Sequence, residues 1–238
     1  MNSSNRDYNS LYLLQDKFLS WWRSADLPFY LTGGTALGRF YLNHRFSDDL
    51  DFFTNANVHY ASFIAQLNSR IKGHFEINLQ QSVFADDFTR FFITENDLFL
   101  KIELVNDVEY YAGKPVEYKY GFIDTPLNIL SNKLTAVVGR DEPKDIFDII
   151  HLSDSYAFNW KDVFYHARQK STINELDVEK RLATFPVEWL GNVNWLAAPV
   201  KAEDYRMRLN TIANDFLLGK DNSLGQNKQP IEDARPLC

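Results

Sequence analysis

GGTALGRFYLNHRFSDDLDFF, residues Gly33 to Phe53, is the stretch on which the fold turns. Just before it, Phe29, Tyr30 and Leu31 form a β-prone run that ends in Thr32, Gly33, Gly34 and Thr35. Ala36 to Leu42 are good helix formers, so the segment reads as strand, tight turn, helix. After a turn at Asn43, residues 47–53 alternate acidic and apolar, a strand signature that puts Asp49 and Asp51 on one face and Leu50 and Phe52 on the other. Glycines let a backbone approach a phosphate closely, a helix N-terminus offers unpaired N–H groups, and the Thr35 hydroxyl can add a hydrogen bond. Two carboxylates on one face can hold Mg²⁺, a hard cation that prefers oxygen ligands, with Mn²⁺ as the alternative. Ions about 3.5 to 4 Å apart can stabilise both the attacking and leaving oxygens of an in-line phosphoryl displacement. Taken singly, the glycines make an ordinary turn and the aspartates a solvated strand face; their combination points to a nucleoside triphosphate and a divalent metal.

Outward from this block, Leu11, Leu14, Phe18 and Trp21 predict a preceding helix, and Phe63, Ile64, Leu67 and Ile71 a following one closed by Gly73. Phe75, Ile77 and Leu79 alternate as a strand, and Phe91 to Thr94 and Phe99 to Val105 are two more. On the last of these, Glu103 is the candidate third metal ligand; it shares a face with Lys101, so a solvated charged pair is the competing reading. From Pro126 the pattern becomes helical: Leu127, Leu130, Leu134 and Val138, then a helix after Pro143, weaker ones over 160–169 and 174–184, and a clear stripe at Tyr205, Leu209, Ile212 and Phe216. The expected architecture is α/β, a mixed β-sheet with flanking helices over 1–120, a helical domain over 121–218, and a tail over 219–238 too poor in apolar residues to pack.

Composition narrows the partners. The 238 residues are 45% hydrophobic and 15% aromatic, enough for a substantial core, and no apolar run approaches the roughly 20 residues of a membrane-spanning helix. Arg6 and Asp7 interrupt any signal-peptide pattern, so a cytoplasmic protein is expected. The single cysteine, Cys238, excludes an internal disulfide framework. A net charge of −7 gives no overall attraction to nucleic acid; Arg168, Lys170, Lys180, Arg181, Arg206 and Arg208 read as scattered surface basics, with a local basic patch in the helical region as the alternative. The histidines show no metal-ligand spacing, although His44 beside Arg45 could lie near phosphate. The five tryptophans are read as core.

The block Gly33 to Phe53 resembles the first motif of the AbiEii/AbiGii toxin family, within the nucleotidyltransferase superfamily related to DNA polymerase β. The family's Gly-Gly-Thr turn, Arg, Ser and Asp-x-Asp strand fall on Gly33, Gly34, Thr35, Arg45, Ser47, Asp49 and Asp51. SNKLTAVVGRDEPKDIFDIIHL supplies its helical lysine and basic-Asp-x-x-Asp element as Lys133, Arg140, Lys144, Asp145 and Asp148. The resemblance covers residues 29–153. Lys144 stands where the family often has Arg, and Glu103 where related enzymes usually have Asp.

By this resemblance the chain is a nucleotidyltransferase that moves a nucleoside monophosphate from a triphosphate to an acceptor hydroxyl. It implies that Gly33, Gly34, Thr35, Arg45, Ser47 and Lys133 bind nucleotide, and that Asp49 and Asp51, with Glu103, bind metal. Lys133 sits near the edge of its helix's apolar stripe, able to reach a triphosphate or simply to be solvated. Asp145 and Asp148 share a helical face; either could orient Lys133 or act as a general base, and Asp145 could instead favour the helix N-terminus. The resemblance further implies a toxin of a toxin–antitoxin or phage-defence system, with tRNA as candidate acceptor and an antitoxin as partner. A small-molecule nucleotidyltransferase, a glycosyltransferase and a non-catalytic nucleotide-binding module are the alternatives.

Overall fold

The structure is a computed structural model that describes residues 7–237; Arg6 and Cys238 lie outside the described residues. Helix α1 (Tyr8–Ala25) is capped by the Asp7 side chain and leads into β1 (Tyr30–Thr32), the short helix α2 (Gly33–Leu37) and one π-helical turn, Gly38–Leu42. Then come β2 (Leu50–Asn55), α3 (Tyr60–Ile71), β3 (Glu76–Ile77), β4 (Val83–Phe84), β5 (Phe88–Glu95), β6 (Leu98–Asp107), β7 (Val116–Tyr118) and β8 (Gly121–Ile123). Helices α4 (Pro126–Gly139), α5 (Pro143–Ser155), α6 (Trp160–Lys170), α7 (Glu175–Thr184) and α8 (Ala202–Leu217) complete the order. Proline at the first turn of α4 and of α5 lacks only an N–H that the helix could not use, and Thr125 caps α4 through the Asn128 N–H.

The strands form one mixed sheet in the order β3-β5-β6-β2-β1-β8-β7, with β4 on β5. The β1–β8 and β2–β6 pairs are parallel and the rest antiparallel. Alternation along β2 and β6 sorts the faces as the sequence predicts. Leu50, Phe52, Leu100, Ile102 and Leu104 are buried under α1 and α3, where Phe18 and Trp22 meet Phe52 and the Tyr60 hydroxyl donates to the Leu104 carbonyl. Burial of each such side chain contributes about 1.5–3 kcal/mol. Asp51, Phe53, Glu103, Val105 and Asp107 face the other way, toward a cleft whose far wall is α4.

Several elements depart from the expected pattern. Leu79 does not extend a strand: the Asn78 side chain accepts from the Gln80 N–H and turns the chain into a 3₁₀ turn, leaving β3 only two residues long. The three-residue strands β7 and β8 were too short to show periodicity, yet β8 lies beside β1, so the sheet extends past residue 120. The tail is ordered rather than disordered. Ile231 is fully buried and Ala234 nearly so, and the Ile231 and Ala157 backbones pair with each other's neighbourhood through Ile231 N–H to Ala157 O and Ala157 N–H to Gln229 O. Asn222 Nδ2 donates to the Ser153 and Tyr156 carbonyls, which α5 leaves open at its C-terminus. A few well-placed anchors thus substitute for the apolar content on which the expectation of disorder rested. Trp160, Trp22 and Trp195 are core residues, whereas Trp189 is half exposed.

Candidate active site

The cleft between sheet and α4 has a volume of about 600 Å³. Its floor carries Asp51 and Glu103, register partners on the parallel strands β2 and β6; Asp49, one residue ahead of β2, does not line it and instead meets Lys101. At its edge is the Gly33–Gly34 turn. Gly33 has φ +68°, and a Cβ there would lie 2.6 Å from Asp51 Oδ2; a Cβ on Gly34 would collide with Arg45 Nη2. Gly33 therefore requires glycine both for backbone conformation and for close approach, and Gly34 for close approach alone.

The floor is short of positive charge. Burial, followed by the neighbouring Glu103 and Asp49 charges, pushes the Asp51 carboxyl up to about 7. Glu103 goes the other way: burial raises it, but Lys101 and Arg90 outweigh that and hold it low. Arg90 Nε donates to Glu103 Oε1 at 2.6 Å, while Lys101 Nζ lies 2.9 Å from Asp49 Oδ2 and 3.3 Å from Glu103 Oε2. Among the described residues no group of three or more carboxylate, histidine or cysteine side chains is gathered into a ready metal cage. The chemistry of the donor set nonetheless fits a hard divalent cation: Asp49 and Asp51 offer only oxygen, and a positive charge there would offset the burial and, secondarily, the neighbouring carboxylates that raise Asp51.

The opposite wall is charge-balanced. Lys133 Nζ, on α4, sits 2.6 Å from Asp145 Oδ1 and 2.8 Å from Asp148 Oδ2, both on α5 and both fully buried. Asp145 also receives Arg140 Nε at 2.7 Å and Nη2 at 3.0 Å. Asp148 takes a bidentate pair from Arg45, 2.6 Å from Nε and 2.7 Å from Nη2, and contacts His44 Nε2 at 2.8 Å. Burial alone would raise both aspartates, but for Asp148 the charges of Arg45 and Lys133, and for Asp145 those of Lys133 and Arg140, prevail and hold them below the ordinary carboxylate range. Acids held this low are poor proton acceptors; of the roles open to them in the sequence, orienting Lys133 and Arg140 is the one this geometry serves. The α5 cap is Glu142, so Asp145 does not cap the helix, although it lies in the first turn, where a carboxylate favours the N-terminus.

Of the residues expected at the nucleotide, Gly33, Gly34 and Lys133 line the cleft with Asp51 and Glu103. Arg45, Thr35 and Ser47 do not. The Arg45 guanidinium is spent on Asp148 and the Phe46 carbonyl, the Thr35 hydroxyl donates to the Asp49 carbonyl, and Ser47 is buried with its N–H on the Tyr12 hydroxyl. They set the geometry of the turn and the aspartate strand from behind. His44, expected as a loop residue near phosphate, is packed against Phe147, and burial lowers its pKa. Lys170, read as a surface basic, instead lines the cleft with Asn132 and Arg140. Its signal was present in the sequence: Val163, Ala167 and Lys170 share the buried stripe of α6, a place where a lysine needs a reason.

The family model described as nucleotidyl transferase AbiEii toxin, Type IV TA system, matches residues 20–217. The chain belongs to that family. Among solved structures, this AbiEii-family protein is similar to JHP933 of Helicobacter pylori, at 20% identity and TM-score 0.58 over 92% of this chain and 94% of that one. It is also similar to MenT4, a nucleotidyltransferase toxin of Mycobacterium tuberculosis, at 16% identity and TM-score 0.56 over 94% and 88%. At these identities the structural likeness establishes the fold, a mixed sheet with helices followed by a helical region. No curated protein matches the sequence. It is thus a member of a nucleotidyltransferase toxin family of toxin–antitoxin systems, and no helix among its described residues is long and apolar enough to cross a membrane.

Proposed function

We propose that this chain transfers a nucleoside monophosphate from a nucleoside triphosphate to an acceptor hydroxyl on RNA, with tRNA as the acceptor, in the cytoplasm and under the control of an antitoxin. The observation that supports the reading is the opposition across one cleft of the carboxylates Asp51 and Glu103 on the floor and of Lys133 and Arg140, held in place by Asp145, on the facing wall. Asp49 and Asp51, with Glu103 in reach, would hold Mg²⁺, which supplies Lewis-acid stabilisation of the charge developing on the phosphoryl oxygens. Lys133 and Arg140 contribute fixed positive charge for the β- and γ-phosphates, and Asp145 and Asp148 keep Lys133 aimed without further reorganisation. Gly33 and Gly34, lacking a Cβ, let the Asp51 and Arg45 side chains pack directly against the backbone of the turn. The acceptor hydroxyl oxygen attacks the α-phosphorus as its proton passes to water, the bond from the α-phosphorus to the oxygen bridging to the β-phosphate breaks, and pyrophosphate leaves.

The test is incubation of the purified chain with each nucleoside triphosphate, labelled at the α-phosphorus, Mg²⁺ and total bacterial RNA. Label on tRNA-sized RNA that is lost in Asp49→Asn supports the reading. Pyrophosphate release with label on a small acceptor would favour an antibiotic-type enzyme, and nucleotide binding without turnover a non-catalytic module.

A further inference from the structure

The end of the cleft remote from Arg140 is built differently from the rest. Lys133 and Arg140 are each tied to Asp145, but Lys170 has no carboxylate within ion-pair distance among the described residues. Its ammonium donates instead to two amide oxygens, Asn128 Oδ1 and, at 2.5 Å, Asn132 Oδ1, and lies 5.9 Å from the Tyr111 ring centroid. An ammonium has three protons, so one donor remains. Because Asn132 Oδ1 must face Lys170, its Nδ2 faces elsewhere, and it has no acceptor among the described residues. Lys170 and Asn132 therefore present adjacent, unused donors on the cleft wall.

The neighbourhood suits a flat, partly apolar ligand better than a phosphate. Phe53 and Val105 floor this end of the cleft, and Asp107 beside them would repel an anion. Asn132 lies eight residues before Arg140 on α4, about 12 Å along the helix axis. That separation is the scale of a single nucleotide, from its phosphates at Arg140 to its base at Asn132. Burial lowers the Lys170 pKa to about 8, which still leaves the ammonium charged at neutral pH.

We propose that Lys170 and Asn132 form the base-reading end of the nucleotide site and select a nucleobase that offers two adjacent hydrogen-bond acceptors. Cytosine does so through O2 and N3 and guanine through O6 and N7; adenine and uracil alternate donor and acceptor along their edges. This inference rests on the nucleotidyltransferase reading and deepens it by naming the substrate class. Buried donors left without acceptors are what reject the wrong base.

Equilibrium binding to the full chain decides it, with Ca²⁺ as a divalent ion and CTP, GTP, ATP, UTP and inorganic tripolyphosphate as probes. The wild type is expected to bind CTP and GTP about tenfold or more tighter than ATP and UTP. Lys170→Met should collapse that preference and leave tripolyphosphate binding unchanged. Asn132→Asp, which keeps an acceptor for Lys170 but replaces the free donor, should also collapse it, and it decides the question if Lys170→Met fails to give a cooperative melt. Base-indifferent binding by the wild type, or a Lys170→Met loss shared by tripolyphosphate, overturns the inference and leaves the enzyme reading standing. A wild type that binds neither nucleotide nor tripolyphosphate overturns both.

Discussion

The two walls of the cleft carry the same residue type in opposite states. On the sheet, Asp51 stands beside Glu103 and Asp49 and is driven up to about 7; on α5, Asp148 meets Arg45, Lys133 and His44 and is held well below the usual range. Asp148 is fully buried and Asp51 half-buried on the cleft floor, yet burial pushes both upward, so it is charge compensation that gives them opposite shifts. A carboxylate whose partners are already supplied is part of the framework, and one whose partners are missing has a place for a cation that arrives with the substrate. The contrast teaches that Asp148 should matter to stability and Asp51 to chemistry.

The strongest way to break this comparison is Asp51→Asn. Transfer should fall by about 10³-fold or more, while the melting temperature holds or rises because a like-charge neighbour of Glu103 and Asp49 has been removed; labelled-nucleotide incorporation and a thermal melt read the two effects. Asp148→Asn should do the reverse. It leaves Arg45 and Lys133 buried against a neutral group, and urea unfolding should show a loss of about 3–5 kcal/mol. Equal destabilisation by the two substitutions would refute the distinction.

Gly33→Ala sharpens the picture between these extremes. The positive φ and the 2.6 Å approach to Asp51 Oδ2 predict about 1–2 kcal/mol of destabilisation, together with an activity loss larger than that figure explains, since the added methyl displaces Asp51 itself. The mildest test is pH. For Asp145 the folded pKa is depressed, so its contribution is complete above the unfolded value of about 4 and is lost as pH falls through the folded value. Asp145→Asn should therefore be less stable than the wild type at neutral pH, with the difference narrowing below pH of about 4 in unfolding curves. A constant gap would mean that Asp145 acts through packing alone.

Much of this was legible in the chain. The alternation of residues 47–53 placed Asp51 on the face opposite Leu50 and Phe52, and the spacing of α4 and α5 predicted that Lys133, Asp145 and Asp148 could meet. Arg45 was misplaced because a basic residue beside an Asp-x-Asp strand looks the same in sequence whether it faces a phosphate or a buried carboxylate 103 positions later. The tail was misread for a related reason: composition averages over residues, whereas Ile231 and Asn222 anchor it individually.

What the sequence determined by itself is local: period-two and helical patterns, glycines where no side chain fits, and which carboxylates share a face. These follow from backbone geometry within a few residues. Tertiary structure alone decided which charges are neutralised, bringing Arg45 to Asp148, Lys101 to Asp49 and Lys170 to Asn132. Pairing of charges depends on distances between segments far apart in the chain, and it is that pairing, rather than the identity of any one aspartate, that separates scaffold from site.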